Sequence, residues 1–376
     1  MIRMQISAEL AELGFQPFQL QRCFEFAETE ASEALSPMRV VCERRGEYDV
    51  QGDAGVVRAK LGGRLHHELS ADERPAVGDW VVVEPADPVS RIVWVCERLS
   101  VLRRTMVGGT SLGQVLAANV DVCFVVCALP APGADEHARR RSVNVRRIER
   151  YLVLASTCRI PAVVVLNKAD LAEGSDLLDE LRGALPDAEL ELVSALDGNG
   201  CENLEKRLGP GVTGVLLGSS GVGKSTLANR LLRRDAQRTG EVRDDDARGR
   251  HTTTERELRV LPHGGLLIDT PGMRELALWA DSDDARGSTG FPEIDELGQR
   301  CRFRDCSHHN EPGCAVLEAV ETASLPLERL ESFRRLEREL AFQRRRTDVR
   351  LRHEEHLRHK VRSRAIRADM RRKDRA

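Results

Sequence analysis

The order of two short motifs constrains the fold of this chain more than any other feature. Asn167-Lys168-Ala169-Asp170 comes about fifty residues before Gly218-Ser219-Ser220-Gly221-Val222-Gly223-Lys224-Ser225. A glycine-rich run of the second kind works only between a strand and a helix. Val212-Thr213-Gly214-Val215-Leu216-Leu217 reads as a short buried strand, and residues 227–232 begin an amphipathic helix. The centre of the chain is therefore expected to be α/β, with both motifs at strand ends.

The glycines Gly218, Gly221 and Gly223 let successive backbone N–H groups turn inward around a β-phosphate, with Ser219, Ser220 and Val222 between them. The helix N-terminus adds the positive end of its dipole. Lys224 supplies a point charge for β- and γ-phosphates, and Ser225, followed by Thr226, offers a hydroxyl to Mg²⁺.

Pro161-Ala162-Val163-Val164-Val165-Leu166 is the continuous apolar run of a strand buried on both faces, and it delivers Asn167 and Asp170 to its carboxyl end. A carboxylate at Asp170 accepts hydrogen bonds from guanine N1–H and the exocyclic amine. Adenine has neither donor, so ATP would leave that carboxylate unpaired. Asn167 would hold the loop, the Lys168 stem would cover the ring, and the Ser194-Ala195 backbone would meet guanine O6.

Gly264-Gly265-Leu266-Leu267-Ile268 leads as a strand into Asp269-Thr270-Pro271-Gly272. Asp269 can hold Mg²⁺ through water, and the Gly272 N–H can sense the γ-phosphate. Upstream, Gly249-Arg250-His251-Thr252-Thr253-Thr254 reads as a switch loop, one of whose threonines reaches Mg²⁺, with Thr253 assigned that role. Met273 follows Gly272, where Ras-type enzymes carry the glutamine that orients water. Intrinsic hydrolysis should then be slow or rely on another group. His251 is the nearest substitute; a loop histidine without catalytic role is the other reading. Ordinary GTPases run from phosphate loop to base reader. The same parts in rotated order resemble a circularly permuted GTPase.

Cys301-x4-Cys306-x-His308-x5-Cys314 places three thiols and an imidazole within fourteen residues of a polar, glycine- and proline-containing segment. The spacing predicts a closed Cys3His zinc site of structural kind, with His309 as a weaker competing imidazole. Cys123, Cys127 and Cys158 fall in apolar runs and read as core thiols of a reduced, cytoplasmic protein.

Together NKAD, SAL, GSSGVGKST, GRHTTT, DTPG and the cysteine knuckle, in that order, resemble the ribosome small-subunit-dependent GTPase A family, the RsgA or YjeQ-like proteins. The resemblance implies an OB-fold, a permuted GTPase domain and a zinc-bearing helical domain. It implies GTP hydrolysis to GDP, with Mg²⁺ and one structural Zn²⁺, in late maturation of the small ribosomal subunit and in contact with 16S rRNA. The expected domains are a helical extension over 1–37, an OB-fold over 38–105, the GTPase over 106–285 and a zinc-knuckle and basic helical domain over 286–376.

A length of 376 residues exceeds one ordinary domain, and 41% hydrophobic content suffices for real cores. No apolar run reaches a membrane span, and the first residues lack a secretory core, so a soluble, cytoplasmic protein without a membrane partner is expected, and a monomer is expected as well. Five short strand candidates between residues 39 and 95 suit a small barrel. Tyr48, Trp80 and Trp94 are its aromatics; with two of them in a core, RNA would be met through backbone and shape rather than base stacking.

The net charge is only −3, but residues 334–376 are dense in arginine, which suits contact with phosphates. A GTP-gated RNA-binding module with incidental turnover is the alternative reading, supported by Met273. A permuted GTPase of the large subunit is disfavoured by the barrel and the knuckle.

Overall fold

The structure is a computed structural model and describes residues 6–30, 35–44, 46–70, 72–104, 114–135, 143–171, 176–219, 221–233, 256–269 and 291–347. Contacts divide the chain into two compact units. The first holds everything up to residue 276 apart from residues 105–113, and the second holds the remainder.

The first unit begins with two helices, Ala8–Glu12 and Pro17–Glu30. Ser7 caps the first by accepting from the Leu10 N–H at 3.1 Å. A barrel follows, built of β1 (Ser36–Arg44), β2 (Glu47–Gly52), β3 (Gly55–Leu61), β4 (Trp80–Glu84) and β5 (Ser90–Val95). Tyr48, Val50 and Gly52 alternate inward along β2, whose two-residue turn Asp53-Ala54 is followed by Gly55 at φ +90° at the start of β3. A bulge between Val40 and Cys42 bends β1 so that it pairs with β2 through one half and β4 through the other. With β3 parallel to β5 and β5 antiparallel to β4, the ring closes. Closure leaves this OB-like barrel without an open edge. Met38, Val40, Tyr48, Val50, Ala59, Val81, Val83 and Ile92 fill it.

Tyr48 and Trp80 are buried, and Trp94 stacks on Phe26 of the second helix at 5.2 Å and 6°. All three aromatics are thus engaged within the protein. Arg39 on β1 is buried as well. Its guanidinium donates to the carbonyls of Leu13 at 2.5 Å, Gly78 at 3.2 Å and Asn119 at 3.1 Å, and it lies 5.5 Å from the Trp80 ring centre. Burial pushes its pKa down to about 10, opposed by Asp121 and Asp79, so the group stays cationic at neutral pH. One side chain therefore ties the N-terminal helices, the barrel and the approach to the next sheet.

After a hairpin of β6 (Val101–Arg104) and β7 (Gln114–Ala118), the chain enters a sheet of β8 (Val122–Ala128), β9 (Ala162–Asn167), β10 (Glu189–Leu192), β11 (Thr213–Leu217), β12 (Glu257–Val260) and β13 (Leu266–Asp269). The order is β10-β9-β8-β11-β13-β12, all parallel except β12. Every residue of β8 and β11 is buried, as central parallel strands require. The chain steps outward from β8 to β9 and β10, then returns to β11 on the other side of β8. That reversal marks the crevice where α/β sheets bind ligands. β12 also meets β1 of the barrel at Cys42 opposite Glu257.

The described part of the second unit is helical: Pro292–Gly298, Ala315–Glu321 and Leu327–Thr347. Phe291, Ile294, Val316, Leu330 and Phe333 are buried, with Phe291 and Phe333 edge to face at 5.6 Å. Arg329 lies 4.2 Å over the Phe291 ring and donates to Glu293 at 2.5 Å. No helix among the described residues is long and apolar enough to cross a membrane.

Candidate functional site

The carboxyl ends of β9, β11 and β13 carry the groups singled out in the sequence. β11 ends at Leu217, and its loop turns through Gly218 at φ +146°, where a Cβ would stand 2.3 Å from the Val126 carbonyl oxygen. Gly223, at φ +93°, would push a Cβ to 2.2 Å from the Asn167 amide nitrogen. Both positions thus need glycine for close approach as well as for backbone angle. The helix Lys224–Leu231 then starts at Lys224 and buries Leu227, Ala228 and Leu231 against the sheet. Its depth anchors the loop, since each such leucine contributes about 1.5–3 kcal/mol by burial.

Lys224 folds back over this loop and donates to the carbonyls of Gly218 at 2.8 Å and Ser219 at 2.7 Å. Burial lowers its pKa, with Asp269 acting in the opposite direction. Asp269 at the end of β13 is raised by burial, while Arg259 and Lys224 lower it. The two groups are thus opposite charges that feel each other in one half-buried space. Ser225 is exposed beside them and Thr226 half-buried.

Asn167 is 2% exposed and joins three loops. Its amide donates to the Val222 carbonyl at 2.9 Å, and its Oδ1 accepts from the Ala195 N–H at 3.0 Å. Lys168 adopts a left-handed conformation at φ +65°, which turns the chain into the short 3-10 segment Ala169–Leu171. The Ser194 hydroxyl donates to Asp170 Oδ1 at 2.7 Å and accepts from the Asp197 N–H at 3.1 Å. A single buried amide thereby couples the Asn-Lys-Ala-Asp loop to the glycine-rich loop and to Ser194-Ala195, while Ser194 orients the carboxylate of Asp170.

One participant was missed in the sequence. Arg230, in the last turn of the helix Lys224–Leu231, donates through Nε to the Ala195 carbonyl at 3.1 Å and through its terminal nitrogen to the Leu196 carbonyl. No motif marks it; its place one and a half turns beyond Ser225 is the available signal. Ser220, His251, Thr252, Thr253, Thr254, Gly272 and Met273 lie outside the described residues.

In the second unit, Cys301, Cys306, His308 and Cys314 each bring one ligand atom into a group that spans no more than 4.8 Å. Cys301 Sγ lies 3.8 Å from Cys314 Sγ and 3.6 Å from His308 Nδ1, and His308 Nδ1 lies 3.3 Å from Cys314 Sγ. Two sulfurs on a tetrahedral ion at about 2.3 Å each would stand about 3.8 Å apart, so the cluster is compatible with one metal. His308 takes φ +56° to face inward and is buried. His309 points outward to the Ser307 carbonyl at 3.0 Å. Glu311 braces the loop by accepting from the Ser307 hydroxyl and from the N–H groups of Ser307, His309 and Asn310 at 3.0, 2.8 and 3.1 Å; the Ser307 hydroxyl and then the Ser307 N–H chiefly hold its carboxyl well below the usual range.

The model of the family described as RsgA GTPase matches residues 95–279. A small ribosomal subunit biogenesis GTPase RsgA of Opitutus terrae is 42% identical, over 89% of this chain and 88% of that protein. A second such protein, RsgA 2 of Vibrio parahaemolyticus, is 39% identical over 89% and 87%. The crystal structure of YjeQ from Thermotoga maritima superposes with a TM-score of 0.60 at 27% identity, covering 82% of this chain and 99% of that one. A structure described as YloQ, a circularly permuted GTPase, superposes at 0.58 and 23% identity, with 83% and 96% covered. With its Asn-Lys-Ala-Asp loop after β9 preceding its glycine-rich loop after β11, this chain belongs to the RsgA GTPase family and is a circularly permuted GTP hydrolase.

Proposed function

We propose that the chain hydrolyses GTP to GDP and phosphate in the crevice between β9, β11 and β13, and that it does so on the small ribosomal subunit during late maturation. The observation that carries the nucleotide assignment is the coupling through Asn167, which holds the glycine-rich loop and the Ser194-Ala195 backbone in one piece. Asp170, oriented by Ser194, reads the guanine N1–H and amine; Asn167, Lys168, Ser194 and Ala195 frame the purine. The backbone of residues 218–223 and the Lys224 ammonium hold the phosphates. Ser225 and Thr226 would hold Mg²⁺ together with Asp269, whose carboxylate feels the Lys224 charge. Mg²⁺ when bound neutralises charge on the phosphates. Thr253, Gly272 and His251 are assigned to the switches on sequence alone.

Cys301, Cys306, His308 and Cys314 are the ligands of one structural Zn²⁺. Four protein ligands leave no open position for water, so the metal organises its loop and catalyses nothing. In the chain the Asp-Thr-Pro-Gly switch runs almost directly into this zinc and helical domain. GTP then fixes that domain for binding the subunit, and hydrolysis frees it. The arginines beyond residue 334 would meet 16S rRNA. The protein works as a cytoplasmic monomer, with domains at 1–37, 38–105, 106–285 and 286–376.

The relatives' names, small ribosomal subunit biogenesis GTPase, support the partner. Pull-down of ribosomal particles tests it. Small subunits should be retained with a non-hydrolysable GTP analogue and released with GDP; equal retention in both states would remove the switch.

A further inference from the structure

The helix that follows the phosphate loop does a second task at its far end. Arg230 sits in its last turn, six residues beyond Lys224, and bonds two successive carbonyls of the base-side loop, Ala195 at 3.1 Å and Leu196. The guanidinium also lies along the open face of Gly198, itself held at φ +93°, where a Cβ would stand 3.6 Å from Arg230 Cζ. Residues 194–200 form a tight turn through Gly198 N–H to Ser194 O at 2.7 Å and Ser194 N–H to Asn199 O at 2.9 Å. Leu196 at its tip is 64% exposed, so packing does not hold the tip.

We propose that Arg230 is a positioning residue for guanine: it ties the phosphate-binding helix to the Ser194-Ala195-Leu196 loop and so sets the separation of the base and phosphate subsites. The proposal rests on the base-reading assignment above. Two carbonyls on adjacent residues suit a planar fork with several donors, and charge-assisted bonds of this kind are stronger than neutral ones. With Asn167 fastening the same loop from the inner side, Arg230 fastens it from the outer side. Asp170 depends on this loop, because Ser194 orients it at 2.7 Å. Without Arg230 the loop keeps its own turn and its inner tie through Asn167 but loses its outer tie to the helix, and the guanine reader holds its register with the phosphates less firmly.

The test is GTP hydrolysis by the full chain carrying Arg230→Ala, with inorganic tripolyphosphate as a competitor that has no base. The expected result is a KM for GTP raised about tenfold with kcat within about twofold, and an unchanged inhibition constant for tripolyphosphate. Arg230→Lys, which keeps charge and stem, should recover part of the lost affinity, and it serves as the variant to read if the alanine form is poorly folded. An unchanged KM in the alanine form would overturn the proposal. So would a loss of tripolyphosphate binding equal to the loss of GTP, since that would make Arg230 a prop of the helix alone. If the unmodified protein bound ATP as well as GTP, the base-reading assignment would fail instead, a result the Arg230 variants do not produce.

Discussion

The loops around Asn167 and Lys224 stand on strands buried along almost their whole length, whereas the loop of residues 301–314 stands on short helices and on its own turns. In the first region, β8 and β11 bury every residue, and the loops above them are cross-linked by side-chain bonds spanning 24 to 55 positions in sequence. In the second, three of the four clustered Cys and His residues are joined by contacts within 13 positions, and the intervening Arg302, Phe303, Arg304 and Asp305 are exposed. A packed sheet gives a preorganised site that needs no ligand to exist. On the proposed reading, the polar knuckle reaches a unique shape through four clustered ligand atoms and the ion they would take. The two regions should therefore fail separately and for different reasons.

The largest effect should come from breaking the metal side. Cys306→Ser, or chelation of the proposed zinc, should remove folding free energy that for structural zinc amounts to about 10–16 kcal/mol of apparent binding. The helical second unit should loosen and particle binding should fall, while GTP affinity stays within about twofold because the proposed nucleotide site lies in residues 167–272 and not in the second unit. Metal analysis and equilibrium nucleotide binding on the same preparation check both halves. A preparation without zinc, or a variant that binds particles normally, contradicts the account.

Next in size, Phe124→Ala should remove about 3–5 kcal/mol from the first unit, because Phe124 is fully buried in the centre of β8 and packs on Gly214. Thermal unfolding should show one transition moved down, with zinc content unchanged at one ion per chain. Simultaneous loss of the metal would mean that the two regions are not independent.

Lys224→Ala touches neither core. It removes the charge assigned to the phosphates, and hydrolysis should fall by about a hundredfold or more while the melting temperature is kept. Steady-state phosphate release and calorimetry check the pair of outcomes. Smaller still, Asp170→Asn should cost about 1.5–3 kcal/mol of GTP binding, the worth of hydrogen bonds to a charged group. It should also favour xanthine nucleotides, whose N1 side can satisfy an amide. Competition between GTP and xanthosine triphosphate gives the answer, and an unchanged ratio would take Asp170 out of base recognition.

Much of this was legible in the sequence, for reasons that differ between elements. β1 to β5 were readable because β-branched runs alternate with glycine and aspartate turns, and the apolar runs before Asn167 and Gly218 were long enough to mark buried strands. The knuckle was readable because metal ligands carry their spacing with them. Spacing alone left His309 as a weaker competitor; it is the His308 ring that joins the three cysteines, while His309 meets the Ser307 carbonyl. β12 was missed, since Glu257-Leu258-Arg259-Val260 carries charge at two of its four positions and owes its strand state to pairing with β13. The hairpin of β6 and β7 was missed because its partners are separated by residues 105–113. Barrel closure through β1 and β4 depends on a bulge that no composition signals. Arg230 and Arg39 illustrate the same limit: a single arginine bonding distant carbonyls leaves no pattern in its neighbours.

The account stands most directly on the hydrolysis rate of the purified full chain with GTP or ATP, each with and without small ribosomal subunits. It predicts phosphate release from GTP and none above background from ATP, slow on its own as Met273 suggests, and strongly stimulated by small subunits. Equal turnover of ATP and GTP, or a GTP rate that small subunits leave unchanged, would contradict it.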